Sequence, residues 1–467
     1  MEFSLPSLPM LKICSYLDAY SLLQVGQVNK SWNAVSNSDF LWRRLCLMRW
    51  YCFDITLEHV GTQTWKQFFL YRSRQERAKS LAKPADFFIR EIPGNFGSQG
   101  LASYLSGSGL TPSGQGKSVV CVVTSMSRLT TWDIKEGVMT WVSPVQPTCI
   151  TRMTTLPEMH LAVTVDMETT IKLWNCRDRD AQATNTMFTY CQTLKAVLTK
   201  YDPVVLASDS SGNLYVFRIP DLSLIIRIHI FKYPIEEISC SPQKKWVFLN
   251  RRHPKIFPKV FLLRSLLRPL EYSNPVFIKL PFSLCLRASW TPRREDRITL
   301  MSRRSPDIPT KFATFDMELI ETEKRTFANG KLREIAGFEM HGYFHNMEWM
   351  GVSEKDVIVF STGKSLHLFN MWGFRLQTFQ DYPQVITRLK VDPLHVIVTF
   401  NDGTLDVYAW DERNDLLRKC YRLQYPRHLG PQSIFPKTLC DDLSIVRVVS
   451  RSCQCCFLAA YILNVFS

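Results

Sequence analysis

Short apolar runs that close on an aromatic ring return at a nearly constant interval over most of this chain. They are "LTTWD" at Trp132, "IKLWN" at Trp174, "LYVFR" at Phe217, "KVFLL" at Phe261, "FATFD" at Phe315, "LHLFN" at Phe369, "VYAWD" at Trp410 and "LAAYI" at Tyr461. Successive rings are 42, 43, 44, 54, 54, 41 and 51 residues apart. A four-stranded propeller blade takes about 40–45 residues, so the spacing predicts an all-β ring with several longer loops. Each unit also has an internal order. "CQTLKAVL", "VVLASDS", "GNLYVFRI" and "LSLIIRIHIF" read as four strands around Phe217, with "SSG" as the turn before the third. Eight units are expected, or seven if the one around Phe261 is an insertion. The eighth runs out of chain after "CFLAAYIL", which would leave an open sheet edge. "ADFFIREI", within the stretch 85–92 that precedes the first full unit, is expected to supply its missing strand and close the ring.

Before this ring the period is helical. In "SLPMLKICSYLD", Met10, Ile13, Cys14 and Leu17 fall at i, i+3, i+4 and i+7, one helix face, with Ser7 as its cap and Pro9 in its first turn. Leu22, Val25, Val28 and Trp32 serve a second and third helix. "TWKQFFLYRSRQERAKSLAKP" carries Trp65, Phe68 and Phe69 early and a basic tail that runs to Pro84. The expected division is a helical module over 1–46, a helical connector over 47–84 and a propeller over 85–467. So short an N-terminal module buries little apolar area alone, and Trp32 and Trp42 need either a larger neighbour or a second protein to cover them.

The first 45 residues resemble the F-box. Its pattern is met by Leu5 and Pro6, Ile13, Tyr16, Leu17 and Asp18, Leu22 and Leu23, Val28, Lys30 and Trp32, then Leu41 and Trp42. Pro9 stands where an apolar residue is usual, and Ala19 where proline is common. The ring resembles WD repeats of a degenerate kind, with the Trp-Asp pair intact at Trp132/Asp133 and Trp410/Asp411 and the Gly-His dipeptide missing. Together these resemblances identify the chain as a member of the F-box/WD-repeat family. "GTQTWKQFFL", "NCRDRDA" and "SPQKKWVF" are similar to its protein 12 group. The resemblance implies a substrate receptor of a cullin-type ubiquitin ligase. Leu5, Pro6, Ile13, Tyr16, Leu17, Leu22, Leu23, Val25, Val28, Trp32, Leu41 and Trp42 would then serve the Skp-family adaptor, and through it a cullin. Part of this surface, Trp42 included, is expected to be covered by the module's own fold.

No constellation for bond chemistry is present. "GQGKS" over 114–118 lacks the first glycine of a phosphate loop, because position 111 is Thr. There is no His-Glu-x-x-His and no Gly-x-Ser-x-Gly, and Cys453, Cys455 and Cys456 have no second pair at zinc spacing. The expectation is a non-catalytic protein without cofactor or metal. The sequence lacks a secretory n-region and an apolar run of about eighteen residues. It therefore reads as cytoplasmic or nuclear, with reduced thiols and no membrane partner.

The net charge of +15 points to anionic partners. Residues 244–304 hold fifteen Lys and Arg against three acids, so most of the surplus sits in this one stretch. "RRHPK" and "SRRSPD" occupy the same connection, second strand to third, in neighbouring units. Arg251, Arg252, Lys255, Arg303 and Arg304 are therefore expected to form one patch on the face and rim, suited to an acidic or phosphorylated protein segment. Arg293, Arg294 and Arg297 map to the opposite face. The competing reading is a basic propeller that holds nucleic acid, with Phe257 and Phe261 stacking on bases. It gives the F-box no role and is disfavoured.

Overall fold

The computed structural model describes residues 7–50, 63–96, 100–106, 118–125, 127–272, 274–303, 308–321, 328–340, 347–380, 382–411, 414, 416–424, 434–441, 444–450 and 456–464. Leu5, Pro6, Arg304, Cys453, Cys455 and most of "GQGKS" lie outside them.

The β-region forms eight four-stranded antiparallel sheets, seven of them in chain order from an inner to an outer strand. They span 102–142, 150–186, 191–229, 237–279, 285–340, 347–379 and 386–423, and the eighth combines 434–463 with 87–93. The unit around Phe261 is a complete blade, so the ring has eight blades rather than seven. Phe87–Pro93 runs antiparallel to Cys456–Leu463, from Phe87 opposite Leu463 to Pro93 opposite Phe457. Pairing the first strand of the ring with the last removes the open edge.

All eight periodic aromatics lie on the third strand of their blade. In blades one, two, three, five and six the register slips at that ring, between Thr131 and Trp132, Leu173 and Trp174, Val216 and Phe217, Thr314 and Phe315, and Leu368 and Phe369. A bulge there sharpens the strand twist, and facing blades then bury their apolar sides against each other, as Val163 and Leu173 do with Val205 and Tyr215. Turns between second and third strands are tied by aspartates: Asp209 Oδ1 accepts from the backbone of Ser211 (3.0 Å) and Asn213 (2.9 Å). Gly212, in this turn, has φ +79°, and a Cβ there would meet the Phe231 carbonyl oxygen at 2.0 Å. Gly212→Ala is expected to destabilise the propeller by more than about 1 kcal/mol, read as a lower urea midpoint at unchanged m.

Among the described residues the chain before the ring opens with α1 Ser7–Cys14, α2 Ala19–Val25, α3 Lys30–Ser36 and α4 Asp39–Trp50. Ser7 is already the first helical residue of α1 rather than its cap, and Pro9 falls in the first turn. Asp18 and Asn29 cap α2 and α3, accepting from Ser21 N (2.8 Å) and Trp32 N (2.9 Å). Helix α5, Trp65–Leu81, starts with a reciprocal Thr64–Gln67 capping box. Its first turns supply Trp65, Phe68 and Phe69 to a core that already holds Cys14, Leu22, Leu41, Trp42 and Cys46. Its last turns dock on blades seven and eight. Lys79 Nζ donates to the Asp441 carbonyl (2.8 Å), and Ser80 Oγ meets His395 Nε2 at 3.0 Å. One helix thus belongs to two cores and holds the module against the ring.

His395 and His367 are buried neutral. Burial, reinforced by Lys79 beside His395 and Arg375 beside His367, lowers each to about 4. Their folded values lie below the unfolded value near 6.5, so the stability they contribute is complete above pH 6.5 and is lost as pH falls toward 4. Each accounts for at most about 3 kcal/mol. Urea midpoints at pH 7 and pH 5 should differ, and less so in His395→Gln.

Candidate docking surfaces

The motif residues of the helical module separate into two groups. Leu22, Leu41 and Trp42 are 0–2% exposed. Trp42 packs edge-on to Phe69 with ring centroids 5.4 Å apart, and its Nε1 donates to the Ser36 carbonyl at 2.7 Å. Leu22 and Leu41, counted above in the adaptor surface, are core, as is Trp42, which was expected to be covered by the module's own fold, because α5 completes the small module from within the chain. Leu17, Leu23, Val25 and Trp32 are half-buried. Ile13, Tyr16 and Val28 are 49%, 73% and 66% exposed, and these rings and branched chains are left for a partner. Sequence reasoning missed four further exposed apolar residues: Leu8, Tyr20, Phe40 and Met48. Phe40 and Leu41 are neighbours in the chain, yet one is outside and one inside, and only the rotation of α4 against α5 decides which.

The basic loop of blade four emerges between Trp246–Asn250 and Lys259–Leu262. Arg252 and Lys255 are exposed there, whereas Arg251 is ion-paired with Glu236, which also accepts from the Arg252 backbone N–H at 3.1 Å. His253 stacks on Tyr233 at 4.6 Å. Arg303 begins the corresponding loop of blade five and is half-buried. The patch is narrower than expected, since Glu236 neutralises part of it. On the opposite face Arg293 pairs with Glu354, while Arg297 is buried between Asp316 (2.6 Å) and Asp356 (2.7 Å). Phe261 is core, stacked on Phe277 at 5.3 Å, and is out of reach of a nucleic-acid base.

The nearest approach to a catalytic arrangement lies between α5 and the ring, beside a cavity of about 750 Å³ lined by Trp50, Lys79, Ser80, His395 and Trp410 among others. Ser80, His395 and Asp392 are of the right types for nucleophile, base and orienter. The geometry differs. Ser80 Oγ donates to the Glu76 carbonyl (3.2 Å), the His395–Asp392 separation is 3.8 Å, and Asp392 Oδ1 already accepts from the backbone of Leu394 (3.0 Å) and His395 (2.7 Å). These groups fasten the helix to the blade. Among the described residues no three His, Cys, Asp or Glu side chains gather as a metal site.

A helical module fastened through α5 to an eight-bladed propeller defines a two-part class of protein. Residues 3–48 match the F-box-like family. The chain is 53% identical over 468 residues to F-box/WD repeat-containing protein 15 of Mus musculus, covering 100% of both. It is 42% identical over 467 residues to F-box/WD repeat-containing protein 12 of Homo sapiens, covering 99% of this chain and 100% of that one. It therefore belongs to the F-box/WD repeat-containing family. A chain of a solved mitotic checkpoint complex is also similar, at TM-score 0.46 and 10% identity, covering 81% of this chain and 91% of that one.

Proposed function

We propose that the protein is the substrate-recognition subunit of a cullin-type ubiquitin ligase, working in the cytosol or nucleus. The exposed side chains of Ile13, Tyr16 and Val28 on a module whose own core is complete carry this reading. None of the three is buried among the described residues, and a Skp-family adaptor would bury them. The ring would hold an acidic or phosphorylated segment of the protein to be modified against Arg252 and Lys255. The contribution to ubiquitin transfer is positional. With both ends of α5 anchored, the substrate is kept at a set distance from the adaptor, which raises the effective concentration of its lysines.

The test of the substrate half is an affinity purification of the full chain, compared with Arg252→Ala/Lys255→Ala. Adaptor retention should be unchanged and proteins with acidic or phosphorylated segments should be depleted. Arg251→Ala should deplete them less, since Glu236 already occupies that guanidinium. An unchanged set of captured proteins would reject the patch.

A further inference from the structure

In a propeller, the connections between second and third strands and those between successive blades emerge on one face. Over blades one to four these connections present a row of uncovered apolar side chains: Val145, Met167, Phe188, Tyr190 and Tyr233, each 42–69% exposed. Backbone bonds set the connections side by side. Met167 N donates to the Cys149 carbonyl at 3.0 Å, Met187 N to that of Thr169 at 2.9 Å, Ser210 N to that of Tyr190 at 2.9 Å, and Phe231 N to that of Gly212 at 3.3 Å. Tyr233 then stacks on His253 of the basic loop of blade four. The result is one arc that runs from blade one to the loop carrying Arg252 and Lys255. Contiguous exposed apolar side chains with polar neighbours mark interaction surfaces.

The middle of the arc stands on a rigid base. Phe188 stacks on buried Tyr215, with centroids 6.5 Å apart and 25° between the planes, and Tyr215 stacks in turn on Phe217 at 6.0 Å. The Tyr215 hydroxyl donates to Asp209 Oδ2 at 2.9 Å, which fixes the foot of the stack. The Arg227 guanidinium lies 4.3 Å from the Phe188 centroid and 5.4 Å from that of Tyr215. A guanidinium held by rings keeps its N–H donors for an acid, and Arg227 has no ion-pair partner among the described residues. The acids nearby are mostly committed. Asp166 and Asp209 turn to the backbone N–H groups of Thr170 and Asn213, and Glu236 pairs with Arg251. That leaves exposed Glu168 against exposed Arg227, Lys232, Arg252 and Lys255.

We propose that this arc docks an unphosphorylated segment of a partner protein in which an aromatic side chain stands close to Asp or Glu. The ring packs on Phe188 and Tyr190, and the carboxylate takes paired bonds from Arg227. Aromatic and arginine contacts of this kind carry most of the energy of an interface, and the cations toward blade four favour an acidic chain leading away from the anchor. Assigning the segment to the substrate rests on the receptor reading above. The anchor itself sits on the outer rim between blades two and three, apart from the Arg252 and Lys255 loop.

A random-peptide phage library panned against the purified full chain, at physiological ionic strength, tests this. Enriched peptides should carry Phe, Tyr or Trp within a few residues of Asp or Glu. One of them, synthesised with a fluorescein label, is then titrated by anisotropy. Phe188→Ser/Tyr190→Ser should weaken its binding by about 30-fold or more, and Arg227→Gln by about 10-fold. Both variants should melt as the wild type does, because the three side chains are exposed. No enrichment, enriched peptides without an aromatic residue, or a peptide held equally by the Phe188/Tyr190 variant would overturn the proposal. So would a peptide that binds only when phosphoserine replaces its acid, which would assign the arc to a phosphorylated segment. Titration with purified adaptor is the separate arm: wild-type protein that holds the peptide and not the adaptor keeps the docking site and loses the receptor reading.

Discussion

Ile13→Asp/Tyr16→Asp/Val28→Asp is expected to lose Skp-family adaptor binding by more than about 100-fold while melting at the wild-type temperature. Truncating one buried anchor of an interface commonly costs about 2 kcal/mol or more, and a carboxylate placed in an apolar contact adds a desolvation cost. None of the three belongs to the buried core of the module, so folding has little to lose. Trp42→Ala should behave in the opposite way. It removes a fully buried ring that touches Phe69 and bonds the Ser36 carbonyl, at a cost of about 3–5 kcal/mol. Adaptor binding then falls because the module unfolds. Isothermal titration with purified adaptor, set beside circular-dichroism melts, separates the two. A triple variant that binds at wild-type affinity would sink the adaptor assignment.

Arg297→Ala is expected to destabilise the propeller by about 3–5 kcal/mol. The Arg297 guanidinium makes a two-bonded pair with Asp316, at 2.6 and 2.8 Å, and a further bond to Asp356 at 2.7 Å, joining blade five to the second-strand approach of blade six. Its side chain is only 7% exposed. Removing it leaves Asp316 with the longer contact to Arg333 (3.7 Å) and Asp356 with the Thr291 hydroxyl (2.9 Å), in a largely buried site. Replacing all three together, as Arg297→Met/Asp316→Leu/Asp356→Leu, should recover most of the loss, since buried ion pairs are often no better than apolar packing of like volume. Urea titration gives both numbers. A loss under about 1 kcal/mol for Arg297→Ala would mean that the carboxylates find other partners.

Both results turn on a distinction the linear chain expresses unevenly. The aromatic interval was legible because each ring marks the third strand of one blade, and strand spacing is a local property of a repeat. The closing strand was legible for a related reason: a sheet cannot leave its edge open without cost, and "ADFFIREI" over 85–92 stood before the first full unit with no other obvious partner. The arc of Val145, Met167, Phe188, Tyr190 and Tyr233 was overlooked, because these residues lie on separate connections and share no period. Their common exposure is visible only when the ring sets those connections side by side.

For the helical module, apolar period and capping residues determined by themselves where the helices run, since Asp18, Asn29 and Thr64 satisfy backbone donors within three residues of their own position. Likewise the repeat interval determined the propeller. Only the tertiary structure decided which apolar side chains remain uncovered. Burial is set by what another part of the chain places opposite a residue, and α5 covers Trp42 and Leu41 while leaving Ile13, Tyr16 and Phe40 outside. The same holds for charge: Arg251 and Arg252 are adjacent in sequence, and it is the position of Glu236 in the neighbouring loop that neutralises the first and leaves the second exposed.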